Sequence, residues 1–112
     1  MYRTYKITNS VDDKIYYGST KLTLRERMDC HNSEVRQGNT KKLSTHMRNI
    51  GIPNFTISLI RDGYPNKLEA RKAEQDLIDN HQVKDQLLNS TRAYSWNPYY
   101  TKDRAKLLAN VS

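Results

Sequence analysis

The sequence predicts an α+β domain: a small three-stranded antiparallel sheet flanked by helices, in the order β-β-α-α-β-α. Three observations carry that prediction. Two short runs bearing tyrosine and isoleucine, "RTYKIT" at 3–8 and "KIYYGS" at 14–19, are separated by turn-forming "NSVDD" and read as a β-hairpin. Three later segments repeat apolar residues at helical spacing. Between the second and third of these, "NFTISLI" at 54–60 alternates apolar and polar residues as a half-buried strand does.

Taken in order, a hairpin turn centred near Ser10 and Val11 sets Ile7 opposite Lys14 and Tyr5 opposite Tyr16, on one face of the sheet. Thr23 then caps a helix and Glu26 completes a capping box, after which Leu24, Met28, His31 and Val35 recur on one side. Gly38 ends that helix. In "TKKLSTHMRNIG" at 40–51, Leu43, Met47 and Ile50 share a face, and Gly51 suits a positive-φ terminus. Pro53 forces an exit into the third strand, which turns Phe55, Ile57 and Leu59 inward, and "RDGYP" at 61–65 reads as a turn. Asn66 and Glu69 offer another capping box for a helix carrying Ala70, Ala73, Leu77 and Ile78 and ending near Asn80. Residues 1–92 form the predicted domain. Residues 93–112 read as an aromatic linker, with Tyr94, Trp96, Tyr99 and Tyr100 around Pro98, followed by a short helix over 101–111 that buries Ala105, Leu108 and Val111.

A chain of 112 residues suits one core. Its net charge of +7 points to a polyanionic partner, nucleic acid first, although a solvated basic surface accounts for the charge equally well. No apolar run nears the roughly 18 residues of a membrane helix, and "MYRTYKITNS" has no secretory core. The single cysteine, Cys30, rules out a disulfide framework and suits a reducing compartment. An intracellular protein is expected. A glycine-rich phosphate loop, HExxH, a metal-spaced cysteine set and GxSxG are all missing, which removes most enzyme classes.

Some residues fit the fold pattern badly. Glu74 falls among the apolar positions of the third predicted helix, where a carboxylate needs a cationic partner, an arginine or a metal ion, or must lift its head into water. Arg27 and His31 are i, i+4 neighbours, either a working pair or part of a solvated face. His46 is read as a core-edge histidine or a functional one, and His81 as surface.

The constellation says more than its parts. "TYKITNSVDDKIYYGST", "RMDCH", Glu74 within "RKAEQDLID" and "LLNS", in that order and on those elements, resemble the GIY-YIG nuclease superfamily over residues 2 to about 92. The resemblance places the family's first tyrosine on Tyr5, its second motif on Tyr16 to Gly18, its arginine and histidine on Arg27 and His31, its metal-binding glutamate on Glu74 and its late asparagine on Asn89. "RTY" departs from Gly-Ile-Tyr, so Arg3 stands at the glycine. What the resemblance implies is a metal-dependent DNA endonuclease. Glu74 holds one Mg²⁺ or Mn²⁺, Arg27 clamps the phosphate, and Tyr5, with Tyr16 as hydrogen-bonding partner, takes the proton from water, its phenolate favoured by nearby cations. His31 orients its neighbours or relays a proton. Arg3, Lys14 and Asn89 serve DNA contact, Asn89 also as a positioning group, and Gly18 is structural. The other reading is a catalytically silent nucleic-acid-binding module on the same fold. Sequence selectivity would need a further DNA-binding domain or partner protein.

Overall fold

Asn9 decides how the first two strands meet. The computed structural model describes residues 1–89, and in it β1 (Tyr2–Asn9) pairs antiparallel with β2 (Tyr16–Thr20). The register is Ile7 to Tyr16 and Tyr5 to Gly18, two residues away from the expected pairing of Tyr5 with Tyr16 and Ile7 with Lys14. The cause lies in the connection. The Asn9 side chain accepts hydrogen bonds from the backbone of Val11 and Asp12 at 2.9 and 2.8 Å, and the Asp12 carboxylate accepts from Lys14 N at 3.0 Å, giving a longer loop than a tight turn. Ile15 is drawn away to a parallel bridge with Leu87. An even shift preserves the faces, so Tyr5 and Tyr16 remain diagonal neighbours with ring centroids 6.3 Å apart.

Helix α1 (Leu24–Arg36) begins with the reciprocal Thr23–Glu26 capping box the sequence predicts, and Gly38 follows it at φ +83°. Helix α2 (Lys42–Ile50) buries Leu43, Ser44 and Met47. Gly51 leaves it at φ +100°, a conformation that glycine adopts without a Cβ penalty. A single 3₁₀ turn at Ile52–Asn54 leads into β3 (Phe55–Tyr64), which pairs antiparallel with β1 and places β1 in the centre of the sheet. Helix α3 (Lys67–Asn80) is capped by the Asn66 side chain on Glu69 N, and a 3₁₀ turn at Lys84–Gln86 returns the chain toward β2.

The order β-β-α-α-β-α is as predicted. Two expectations for the third strand fail. It runs on through "RDGY" instead of turning, because register shifts near Thr4 let β3 carry extra residues as it follows β1 to Tyr64. Leu59 is 51% exposed, since the apolar core, built on Tyr5, Ile7, Val35, Leu43, Met47, Phe55 and Leu88, reaches along β3 only to Ile57. His81, expected at the surface, is instead partly buried with both ring nitrogens bonded, to the Tyr17 hydroxyl at 2.9 Å and Gln86 Oε1 at 2.8 Å. His46 is a core-edge residue: it pairs with Asp12 at 2.9 Å and lies edge-on to Phe55. The linker and short helix expected beyond residue 92 lie outside the described residues. Among the described residues, no helix is long and apolar enough to cross a membrane.

Candidate active site

Gly18 makes room for the central tyrosine. Directly opposite it across the ladder, Tyr5 is fully buried and lays its ring over the Gly18 backbone so closely that a Cβ there would overlap the Tyr5 hydroxyl and Cζ. A strand glycine marks such close approach. Helix α1 supplies the partners of that hydroxyl. Arg27 Nε donates to it at 3.0 Å, and His31 Nε2 lies 2.9 Å away on the other side. Arg27 can only donate, so the phenol accepts from Arg27; with the neutral imidazole in the tautomer that leaves Nε2 unprotonated, the phenol donates its own proton to His31. The imidazole is then protonated on Nδ1, which faces Glu34 at 3.7 Å and has no hydrogen-bond partner.

Helix α3 brings the carboxylate. Glu74 is buried with 7% of its surface exposed, and Ser19 of β2 donates to its Oε1 at 2.7 Å. Tyr5, Tyr16, Arg27, His31 and Glu74 all line one cavity of about 240 Å³, so the five residues expected to do the chemistry are brought together. A larger cleft of about 840 Å³ lies elsewhere, between Tyr17, Arg61, Tyr64, Leu77 and His81. Size does not make it the reactive site, since neither Glu74 nor the Tyr5–Arg27–His31 cluster borders it.

Burial dominates the electrostatics. It pushes the Tyr5 hydroxyl well above the ordinary phenol range, with Tyr16 adding to the rise and Arg27 opposing it. Tyr16 is raised chiefly by burial and by Glu74, while Arg27 and the Tyr5 hydroxyl pull it back. With Arg27 as the cation beside it, desolvation keeps Tyr5 a phenol; the phenolate expected there draws also on the charge of a bound metal ion. His31 is pushed down to about 3 by burial, then by Arg27 and Lys41, and is therefore neutral, a hydrogen-bond acceptor and a weak base. Burial raises the Glu74 carboxyl, against the Ser19 hydrogen bond and the charges of Arg71 and Arg27.

The three residues assigned to DNA contact have other engagements. The Arg3 guanidinium bonds the Leu22 carbonyl and stands 3.5 Å from Asp62, which fastens the loop before α1 to the sheet. Lys14 Nζ donates to Asp85 O at 2.7 Å. The Asn89 amide makes a pair of bonds with the Tyr17 backbone, at 3.1 and 2.8 Å, while also bordering the cavity. It extends the exposed edge of β2 by one pairing.

Sequence reasoning missed several residues of the wall: Ser19, Glu34, Lys41, Ser44 and Arg71. Arg71 and Glu34 were accessible in principle, being i−3 from Glu74 and i+3 from His31 on their own helices. Lys41 and Ser44 reach the cavity only through the packing of α2 against α1, which no local spacing reveals.

The donor set suits a hard cation rather than zinc. Among the described residues no three His, Cys, Asp or Glu side chains cluster, so the cavity offers Glu74, with one oxygen already held by Ser19, and Glu34 elsewhere on its wall. Mg²⁺ is commonly held this way, by one or two carboxylates with waters and substrate phosphate completing six oxygens.

A small α+β domain that gathers two phenols, a guanidinium, a neutral imidazole and a buried carboxylate around a common cavity has the makings of a phosphoryl-hydrolysing catalytic domain. Comparison with known proteins gives it a family: the model of the GIY-YIG catalytic domain matches residues 1–89, and the chain belongs to that family. Its fold is similar to the solved catalytic domain of the homing endonuclease I-TevI, with a TM-score of 0.68 at 22% identity, covering 81% of this chain and 99% of that one. No curated protein matches the chain.

Proposed function

We propose that the chain is a metal-dependent DNA endonuclease that hydrolyses phosphodiester bonds in this cavity. One observation carries the reading: the buried Tyr5 hydroxyl is held between Arg27 Nε at 3.0 Å and neutral His31 Nε2 at 2.9 Å, in the cavity that Glu74 also lines. Such a phenol is a proton carrier. As water attacks phosphorus, its proton passes to the Tyr5 oxygen while the Tyr5 proton moves to His31 Nε2, giving an imidazolium that burial opposes and that the Glu34 carboxylate, 3.7 Å from Nδ1, and the negative charge of the bound phosphate would stabilise. Proton transfer through Tyr5 leaves no free phenolate, but burial opposes the imidazolium as it opposes the phenolate, so the charges that surround His31 in the substrate complex decide the step.

Arg27 spends Nε on Tyr5, and its terminal nitrogens have no hydrogen bond among the described residues, which leaves them for phosphate oxygens. Glu74, steadied by Ser19, would hold one Mg²⁺ or Mn²⁺. When bound, such an ion supplies charge for the phosphoryl oxygens and the leaving 3′-oxygen. Tyr16 packs its ring on His31 with centroids 5.4 Å apart and keeps the imidazole facing Tyr5. The substrate is DNA, bound largely through phosphates by the basic surface, in an intracellular setting, with sequence selectivity from a further DNA-binding domain or partner. Incubating the chain with supercoiled plasmid, with and without Mg²⁺, tests the reading. Nicking only with metal is expected. Binding without cleavage at any metal concentration would leave a silent binding module.

A further inference from the structure

The proposed chemistry leaves the far wall of the cavity unused. There α2 begins in a way that helix energetics disfavour. Its N-cap is Lys41, which makes no side-chain cap, Lys42 follows, and the first turn has no acidic residue. Two lysines at the positive end of a helix dipole, over first-turn N–H groups of which a side chain takes only that of Lys41, through Asn39 Oδ1 at 2.8 Å, work against the helix. Such a conflict points to something outside the chain that compensates.

A second, independent feature sits on the same turn. Ser44 is only 2% exposed and lines the cavity, yet its hydroxyl has no hydrogen-bond partner among the described residues. The Lys41 ammonium also borders the cavity, near enough to His31 to help hold that imidazole neutral.

We propose that the N-terminus of α2 is a second phosphate site, which binds the DNA backbone phosphate next to the scissile one through Lys41, the Ser44 hydroxyl and the free N–H groups of the first turn. The inference rests on the nuclease reading and deepens it: Arg27 takes the reacting phosphate, and α2 fixes the strand's register across the cavity. One charge-assisted contact of this kind contributes chiefly to binding.

Lys41→Asp separates this role from a structural one. Aspartate at the N-cap satisfies a first-turn N–H and suits the dipole, so its melting temperature should rise while DNA affinity falls about tenfold or more. Ser44→Ala should lose affinity with its melting temperature held or raised. Fluorescence anisotropy of a labelled duplex, in Ca²⁺ or without metal so that nothing is cut, reads the affinity. For Lys41→Met, the slope of log K against log salt should flatten by about 0.9, one phosphate contact. A duplex series carrying a single methylphosphonate at successive positions should show one position, beside the cut mapped in Mg²⁺, where the wild type loses affinity and Lys41→Met does not. Wild-type affinity and salt slope in Lys41→Asp, Lys41→Met and Ser44→Ala would overturn the site while leaving metal-dependent nicking, and so the nuclease reading, intact. A wild type that neither binds nor cuts DNA would overturn both.

Discussion

Gly18→Ala is the smallest change that tests how the site is built. The new Cβ would overlap the hydroxyl and Cζ of Tyr5 and stand 2.9 Å from Cε2. Tyr5 is 0% exposed, so its ring has no solvent to swing into and must push against the core. Overpacking of this kind costs about 1–3 kcal/mol. A displaced ring also gives up its bonds to Arg27 and His31, and leaving a buried partner unpaired costs a further 1–3 kcal/mol or so. A total of roughly 2–6 kcal/mol is a large share of the ~5–15 kcal/mol that holds a small domain together. The melting temperature should fall by about 10 °C or more, taking roughly 4–8 °C per kcal/mol for a domain of this size. Calorimetry measures this directly. A double-mutant cycle locates the cause: Tyr5→Leu removes the atoms the Cβ meets, so it should cost much less stability in the Gly18→Ala background than in the wild type. A Gly18→Ala chain that melts within about 2 °C of wild type and cleaves normally would refute the close packing of Tyr5 on β2.

Tyr5→Phe keeps the packing and removes the proton carrier, and should lower cleavage by roughly 10²-fold or more. Tyr16→Phe retains the ring that orients His31 and should fall less in cleavage; equal losses in rate measurements on the two variants would contradict the assignment of Tyr5 as the carrier. His31 makes the fold sensitive to acid. Its native pKa of about 3 lies below the unfolded value of about 6.5, so the unfolded chain binds more protons in that window. Stability should therefore fall, eventually by several kcal/mol, as the pH drops from about 6.5 toward 3. In urea titrations across that range, His31→Gln should flatten the dependence, and an unchanged slope would place the acid sensitivity elsewhere.

Element order was legible because each helix and strand carries local signals: Thr23 with Glu26, Gly38, Gly51, and the alternation from Phe55 to Ile57. The five residues to which chemistry is assigned were legible through the resemblance of their motifs to the GIY-YIG family; spacing alone left Arg27, His31 and Glu74 with ordinary structural readings as well. What escaped depends on contacts between distant segments. The hairpin register follows from the loop that Asn9 and Asp12 shape together with Ile15 bonding to the chain near Leu87, and the second of these no turn rule contains. The length of β3 follows from bulges that adjust it to β1. Ser19 shows no local signal for its partner, since it meets Glu74 only where α3 packs on β2. Tyr5's resting protonation likewise turns on burial, a property of the whole core.

The account rests on a buried carboxylate kept for metal-assisted hydrolysis, and Glu74→Gln tests it most directly. Burial raises the Glu74 carboxyl above its unfolded value, so its contribution to stability is present below about pH 4.3 and lost as the pH rises through the native value. At neutral pH the glutamine variant, uncharged but still able to accept from Ser19, should melt at or above the wild-type temperature. It should bind DNA as the wild type does. With Mg²⁺ and supercoiled plasmid, followed by gel electrophoresis beside the wild type, it should leave the plasmid uncut while the wild type nicks it. Wild-type cleavage by Glu74→Gln would contradict the assignment of Glu74 as the metal ligand and, with it, the proposed mechanism.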